Sequence, residues 1–294
     1  MITIEEALRW GAVTLKKTSD TPRLDSDLLM MNILSLSRES LILKSQENLT
    51  DEQLHKFQSN IEKASNNVPI PYITNSREFF GLDFFVTESV LIPRPETEIL
   101  VEVALENIAV IVEKNIKEIS ILDLGTGSGC IIISVIKEAL IKFPGIKFSG
   151  SAVDLSPQAL EVAKFNAEKF LVSDYITFYE GSWLEPVMGK KFNIILSNPP
   201  YIAKEDPDIH ISTKLEPQEA LFSEDLSQIG DGLRCIGDII KNCKSCLLHD
   251  GILALECGWK QGEWVVKIFK DIEFTDVFIK KDLQGYNRVI IGKI

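Results

Sequence analysis

Ile119-Ser120-Ile121-Leu122-Asp123-Leu124-Gly125-Thr126-Gly127-Ser128-Gly129 is the stretch on which the fold turns. Its first six residues make a short, mostly apolar run of strand length. The glycines interrupt it, and a helical pattern follows to about Ile141. A glycine turn between strand and helix lets the backbone approach a ligand closely and is expected to expose amide donors. In open parallel sheets, ligands bind beyond the carboxyl ends of the strands. The spacing here is G-x-G-x-G. A dinucleotide dehydrogenase fingerprint would be G-x-G-x-x-G, so the third glycine comes one residue early.

Downstream the alternation continues. Strands are expected at residues 147–153 (ending at Asp154), 175–179, 192–197 and 251–256, with helices over 156–170 and 233–248. Residues 274–279 and 287–292 read as two last strands with no room for a helix between them. A parallel crossover needs about a dozen residues, so this pair is expected to be antiparallel. Strand–helix alternation implies an α/β fold, a doubly wound parallel sheet closed by a C-terminal antiparallel strand pair.

Upstream, residues 1–70 carry helix signals and no strand signal. Thr3-x-x-Glu6 and Thr50-x-x-Gln53 are capping boxes. Pro22 suits a first turn, with Leu24, Leu28, Leu29 and Ile33 at helical spacing behind it. Asn66-Asn67-Val68-Pro69-Ile70-Pro71 reads as a linker, because its prolines block helix and ladder bonding. An aromatic-rich hairpin is expected at 77–86 around Gly81. The organisation expected is therefore a helical domain at 1–70, a linker and β-hairpin at 71–90, and a ligand-binding domain at 91–294.

Composition narrows the class. Of 294 residues, 45% are apolar and 25% charged, ordinary for a globular chain. No apolar run approaches the ~18 residues of a membrane helix. Residues 1–10 lack the basic start of a signal peptide, so a cytoplasmic location is expected. With 31 basic and 43 acidic residues the net charge is −12, which opposes phosphate-driven nucleic-acid binding. The five cysteines are scattered and read as reduced thiols. His55, His210 and His249 match no triad or metal spacing.

Two further features sit at strand ends. Asp154 closes the second strand, where an acid can accept both hydroxyls of a ribose. The helix-cap role falls better to Ser156, with Pro157 behind it. Asn198-Pro199-Pro200-Tyr201 follows the buried run Ile194-Ile195-Leu196. Two prolines after a strand end make a rigid turn, here holding a polar and an aromatic group at the ligand edge of the sheet.

Asp123–Gly129, Asp154 and Asn198-Pro199-Pro200-Tyr201 together resemble the class I S-adenosylmethionine-dependent methyltransferases, with their Rossmann-like sheet. The tetrapeptide resembles that of enzymes methylating a planar nitrogen, either the adenine amine or the glutamine amide. Arg77-Glu78-Phe79-Phe80-Gly81, Leu91-Ile92-Pro93-Arg94-Pro95-Glu96-Thr97-Glu98, Leu215-Glu216-Pro217, Glu256-Cys257-Gly258 and Lys281-Asp282-Leu283-Gln284-Gly285 are similar to the peptide chain release factor glutamine N5-methyltransferases (HemK/PrmC family). So is the helical domain ahead of them, and the likeness covers nearly the whole chain.

The resemblance implies methyl transfer from S-adenosyl-L-methionine to the glutamine of the Gly-Gly-Gln motif in release factors. Gly125, Thr126, Gly127, Ser128 and Gly129 would face the methionine part, Asp154 the ribose and Trp183 the adenine, with Asn198 also touching the cofactor. Asn198 and Pro199 would accept the amide hydrogens of the substrate, and Pro200 and Tyr201 would complete its pocket. No metal is implied. Many relatives carry Asp directly before the tryptophan, where this chain has Ser182. Arg94 and Glu98 are read either as cofactor cover or as surface charges, and Glu256 either as functional or as an internal hydrogen-bonding acid. The loop at 202–228 is expected to form a substrate rim. The helical domain would recognise protein, with the chain acting as a monomer, away from nucleic acid and membrane. The competing readings are an adenine-N6 DNA methyltransferase and a non-catalytic nucleotide-binding scaffold.

Overall fold

A computed structural model describes residues 2–204, 213, 215–227 and 230–294. Contacts divide the chain into two compact units, one made by the residues up to Ser76 with Thr213 and Leu215, the other by the rest.

The first unit is helical. Both capping boxes form: Thr3 opens the helix Ile4–Leu15 and Thr50 opens Asp51–Ser65, each side chain taking the amide three residues on. Pro22 starts the helix Pro22–Leu34 as expected. Its buried face differs from the expected leucine stripe. Leu29 and Met30 are fully buried, whereas Leu24 and Leu28 are exposed. Ser26 takes an inner position instead, because its hydroxyl donates to the Leu8 carbonyl at 3.0 Å and is thereby satisfied. The expected linker is shorter than its prolines suggested. Ile70–Thr74 forms one more helical turn, with Pro71 in the first turn where no N–H is required.

The hairpin, in the second unit from Arg77 on, pairs Ser76–Phe79 with Leu82–Phe85. Phe80 and Gly81 both have positive φ (51° and 72°), the conformation that suits a two-residue hairpin turn. The sheet that follows has seven strands: β1 (Glu118–Leu124), β2 (Lys147–Asp154), β3 (Ile176–Glu180), β4 (Phe192–Ser197), β5 (Leu247–Glu256), β6 (Thr275–Lys281) and β7 (Asn287–Lys293). Their spatial order is β6-β7-β5-β4-β1-β2-β3. β1 to β5 run parallel, and β7 lies antiparallel between β5 and β6.

The alternation of β1 explains both layers. Ile119 and Ile121 join the core under the helices Glu98–Glu113 and Cys130–Lys142. Leu122 and Leu124 join the opposite core, under Arg234–Cys243 and Gly262–Asp271. All six residues of β4 are buried, as expected for a central strand covered on both faces.

One helix is shorter than its sequence suggests. The pattern predicts 233–248, but the helix ends at Cys243, a 3-10 turn spans Lys244–Cys246, and β5 starts at Leu247. Leu247 is needed in register against Phe192 of β4. Cys243 and Cys246 are buried across this junction, and all five cysteines are free. Among the described residues, no helix is long and apolar enough to cross a membrane.

Candidate active site

The turns after β1 to β4 meet at a cavity of about 590 Å³, at the carboxyl ends of the strands. Gly125, Thr126, Gly127, Ser128, Asp154, Ser182, Trp183, Asn198 and Pro200 all line it. Residues that stand up to 75 positions apart in sequence are thus gathered at one edge. Gly129, Pro199 and Tyr201 do not line it.

The glycine turn owes its shape to positive φ at Gly125, Gly127 and Gly129 (69°, 54° and 79°). At Gly129 a Cβ would also stand 2.7 Å from Ile133 Cδ1, so this position fixes the packing of the following helix. The expected exposure of amide donors is not found at four positions; the Gly129 amide donates to the Thr126 carbonyl at 2.8 Å. The amides of Gly125 and Thr126 donate to the Val153 carbonyl (2.9 and 3.0 Å), and that of Gly127 donates to Asp154 Oδ2 (2.8 Å). A backbone donor inside the protein takes an internal acceptor when one is in reach. The turn therefore supplies close approach and shape.

Asp154 is the hub of this region. Its Oδ1 accepts the Ser156 amide at 2.9 Å, while Ser156 itself caps the next helix by taking the Ala159 amide. Each carboxylate oxygen has a second lone pair beyond the amide it accepts, so the group can bind two more donors. Burial raises the pKa of Asp154, and the amides of Ser156, Gly127 and Leu155 oppose the rise. Deeper in the turn, Asp123 accepts the Thr126 hydroxyl at 2.7 Å, and burial pushes its carboxyl up to about 7.

Asn198, just after β4, donates from Nδ2 to the Thr97 hydroxyl at 3.1 Å. Tyr201 turns away from the cavity. Its hydroxyl donates to Glu256 Oε1 at 3.2 Å, and its carbonyl accepts Gln261 Nε2 at 2.8 Å. Burial raises the Tyr201 pKa, and the neighbouring Glu256 adds to the rise. Trp183 has φ +44°, unusual for a bulky side chain, and its ring packs 3.5 Å from where a Gly125 Cβ would lie.

The open readings of the charged residues divide. Arg94 lines the cavity and pairs with Glu216, whose Oε2 also accepts the Ile92 amide at 3.1 Å. Glu98 is not at the cavity; its Oε1 takes the Phe80 amide at 2.9 Å and secures the hairpin turn. Glu256 is 1% exposed and stands behind Tyr201. His55 and His249 are exposed and stand outside the cavity lining, while His210 lies outside the described residues. So does much of the expected substrate rim at 202–228. Of its described part, Ile202–Ala203 pairs with Phe222–Ser223, and Pro217 to Ala220 line the cavity.

Glu216 is 4% exposed, and losing Arg94 would strand its charge. Arg94→Ala is expected to cost about 2–3 kcal/mol of stability, below the value for a fully buried pair because Arg94 keeps solvent contact. Adding Glu216→Gln should recover part of that, because the stranded charge is gone. Denaturant unfolding of the two variants checks both signs.

Three residues escaped the sequence reading: Thr97, Glu216 and Gln261. Thr97 and Glu216 lie within quoted family blocks, flanked by Glu96 and Glu98 and by Leu215 and Pro217. Their burial was the missing information. Nothing in the sequence singled out Gln261, whose amide joins the Tyr201 and Asp231 carbonyls (2.8 and 2.7 Å).

Comparison with known proteins places the chain in a family. Residues 6–74 match the family model of the PrmC N-terminal domain, and residues 98–221 match that of the methyltransferase small domain. The chain is 35% identical over 297 residues to the release factor glutamine methyltransferase of Aliivibrio fischeri, covering 99% of this chain and 98% of that protein. It is 34% identical over 285 residues to the same-named protein of Salmonella typhimurium, covering 96% of each. A bifunctional methyltransferase of Rickettsia bellii is 35% identical over 311 residues, covering 98% of this chain but 54% of that protein. The chain thus spans about half the length of such bifunctional relatives. The hMettl16 catalytic domain shares the fold with a TM-score of 0.54 at 15% identity, over 83% of this chain and 82% of that one. The seven-stranded sheet is that of the class I methyltransferases, and with these full-length relatives the chain belongs to the release factor glutamine methyltransferase family.

Proposed function

We propose that this chain transfers a methyl group from S-adenosyl-L-methionine to the side-chain amide nitrogen, N5, of the glutamine in the Gly-Gly-Gln motif of peptide chain release factors. The observation that carries the reading is the Asn198 amide, tied to Thr97 in the wall of the cavity that the glycine turn and Asp154 also line.

The cavity fits the cofactor in size and chemistry. About 590 Å³ is within the range of small-molecule sites. Asp154 keeps two lone pairs for the ribose hydroxyls, Trp183 offers an aromatic face for adenine, and Ser182 offers a hydroxyl in place of a charged acceptor. Bound there, S-adenosyl-L-methionine supplies a methyl group already activated by its sulfonium.

An amide nitrogen is a poor nucleophile because its lone pair is delocalised. With Nδ2 of Asn198 committed to Thr97, its Oδ1 is free to accept one hydrogen of the substrate amide; the other is assigned to the Pro199 carbonyl by family resemblance, since Pro199 does not itself line the cavity. Two acceptors hold the nitrogen in line for attack and stabilise the positive charge that grows on it. Proline serves here because it fixes the chain and brings no competing N–H. Pro200 shapes the pocket, and Tyr201 stiffens the turn through Glu256. No strong general base is assigned, since the nitrogen becomes far more acidic once methylated.

Residues 1–70 are read as the unit recognising the protein substrate, 71–90 as the connecting hairpin, and 91–294 as the methyltransferase domain. A monomer working in the cytoplasm, away from nucleic acid and membrane, accords with the charge of −12.

Labelled S-adenosylmethionine offered with a release factor, the same factor lacking its motif glutamine, and duplex DNA tests the reading. Label on the intact factor alone is the expected result. Label on DNA would overturn the acceptor, and cofactor binding with label on neither would favour another acceptor or a non-catalytic role.

A further inference from the structure

The turn Asn198-Pro199-Pro200-Tyr201 is stiff at its front and soft at its back. Proline fixes φ at 199 and 200, and a residue before proline is confined to an extended ψ, which restrains Asn198 and Pro199 as well. The freedom that remains is ψ of Pro200 and the two torsions of Tyr201. The prolines also lack N–H groups, so neither can anchor the turn through a backbone donor. Control of the turn therefore falls to what holds Tyr201.

Two side chains hold it. Glu256 Oε1 accepts the Tyr201 hydroxyl at 3.2 Å and so fixes the ring. Gln261 fixes the backbone. Its Nε2 donates to the Tyr201 carbonyl at 2.8 Å and to the Asp231 carbonyl at 2.7 Å, while its Oε1 accepts the Gly258 amide at 2.8 Å. The partners dictate that sense. Two carbonyls can only accept and one amide can only donate, so a flipped glutamine would lose all three bonds.

Two glycines make room for this clamp. A Cβ at Gly258 would stand 2.8 Å from Gln261 Oε1. Gly232 has φ +60°, and a Cβ there would stand 2.6 Å from the Tyr201 carbonyl oxygen and 2.9 Å from the Ala203 nitrogen. The loop that carries Gly232 is braced from within. Asp231, 6% exposed, accepts the amides of Leu226, Ser227 and Leu233, and Asp225 accepts those of Gly230 and Gly232. The Asp231 carbonyl is thus a firm point, and Gln261 ties the soft end of the turn to it.

We propose that Gln261 is a positioning residue for the reaction: by bridging the Tyr201 and Asp231 carbonyls it sets the Tyr201 backbone and, through it, the aim of the Asn198-Pro199 acceptors. What is aimed rests on the methyl-transfer reading above, whereas the clamp itself does not.

The local fold does not depend on this side chain. The Gln261 amide donates to the Gly258 carbonyl at 2.8 Å, and its carbonyl accepts the Val265 amide at 3.0 Å, so the following helix keeps its start. Two variants take the clamp apart. Gln261→Glu keeps an acceptor for the Gly258 amide and removes both donors; Gln261→Met removes all three bonds.

The test has two readouts. In the free protein, the backbone carbonyl ¹³C resonances of Tyr201 and Asp231 should move upfield in both variants, as carbonyls do on losing a donor. The Gly258 amide should stay protected from exchange in Gln261→Glu and lose protection in Gln261→Met. In turnover, kcat should fall roughly ten- to a hundredfold in both, toward the cost of a reacting group misplaced by about 1 Å. Cofactor affinity should stay within about threefold of wild type, the low end for one hydrogen bond. A merely structural role would lower kcat, cofactor affinity and melting temperature together. Unmoved Tyr201 and Asp231 resonances, or kcat within about threefold of wild type in folded variants, would overturn the proposal; if Gln261→Met does not fold, Gln261→Glu decides. A wild-type chain that labels no release factor, but shows the expected carbonyl shifts in its variants, would overturn the methyl-transfer reading and leave the clamp intact.

Discussion

Asn198→Ala should lower kcat for methyl transfer by about a thousandfold, the upper range for removing one group that stabilises developing charge. The side chain does two things that no neighbour can replace. On the proposed reading it accepts a hydrogen from the attacking nitrogen, and it would do so from the rigid end of β4, where all six preceding residues are buried. Alanine removes the acceptor and leaves Thr97 without its partner. Because Asn198 also lines the cavity, cofactor affinity should weaken, but by less than about tenfold, the worth of one ordinary hydrogen bond. Steady-state kinetics with calorimetric cofactor binding separates the two effects. Full activity in Asn198→Ala would remove the assignment.

The second large effect is expected at Asp154, and it falls on binding. Asp154→Ala deletes the acceptor proposed for the ribose hydroxyls, two charge-assisted bonds whose loss should weaken cofactor affinity by about 10²–10³-fold. It also frees the amides of Gly127 and Ser156, loosening the turn that shapes the cavity. At saturating cofactor, kcat should fall much less. The pH dependence has a definite sign. Burial raises the Asp154 pKa above its ordinary value, and protonation removes the charge, so affinity should fall as the solution is made acid. Calorimetry across pH checks this. Affinity within about threefold of wild type in Asp154→Ala would reduce Asp154 to an anchor for the turn, since even one hydrogen bond is worth more.

Most of the fold was legible because its signals are local. Capping boxes at Thr3 and Thr50, the proline at 22, the alternation of β1 and the unbroken apolar run of β4 each lie within a few residues. The antiparallel final pair followed from chain length alone. The place of β7, between β5 and β6, did not, because strand order depends on which edges remain to be paired. The helix predicted over 233–248 failed at its end for a similar reason. Residues 247 and 248 are leucines, good helix formers by themselves, but the pairing of Leu247 with Phe192 of β4 draws them into β5.

The site divides along the same line. The amino-acid sequence alone marked the residues proposed for the chemistry: the glycine turn, Asp154 and Asn198 at the ends of β1, β2 and β4. It could not determine what holds them. Arg94 finds Glu216 across 122 positions, Tyr201 finds Glu256 across 55, and Asn198 finds Thr97 across 101. Whether a polar side chain is a solvated surface group or a buried partner depends on what packs over it. That is settled by non-local burial, where an unpaired polar group is too costly to leave, and not by the identity of the residues beside it in the chain.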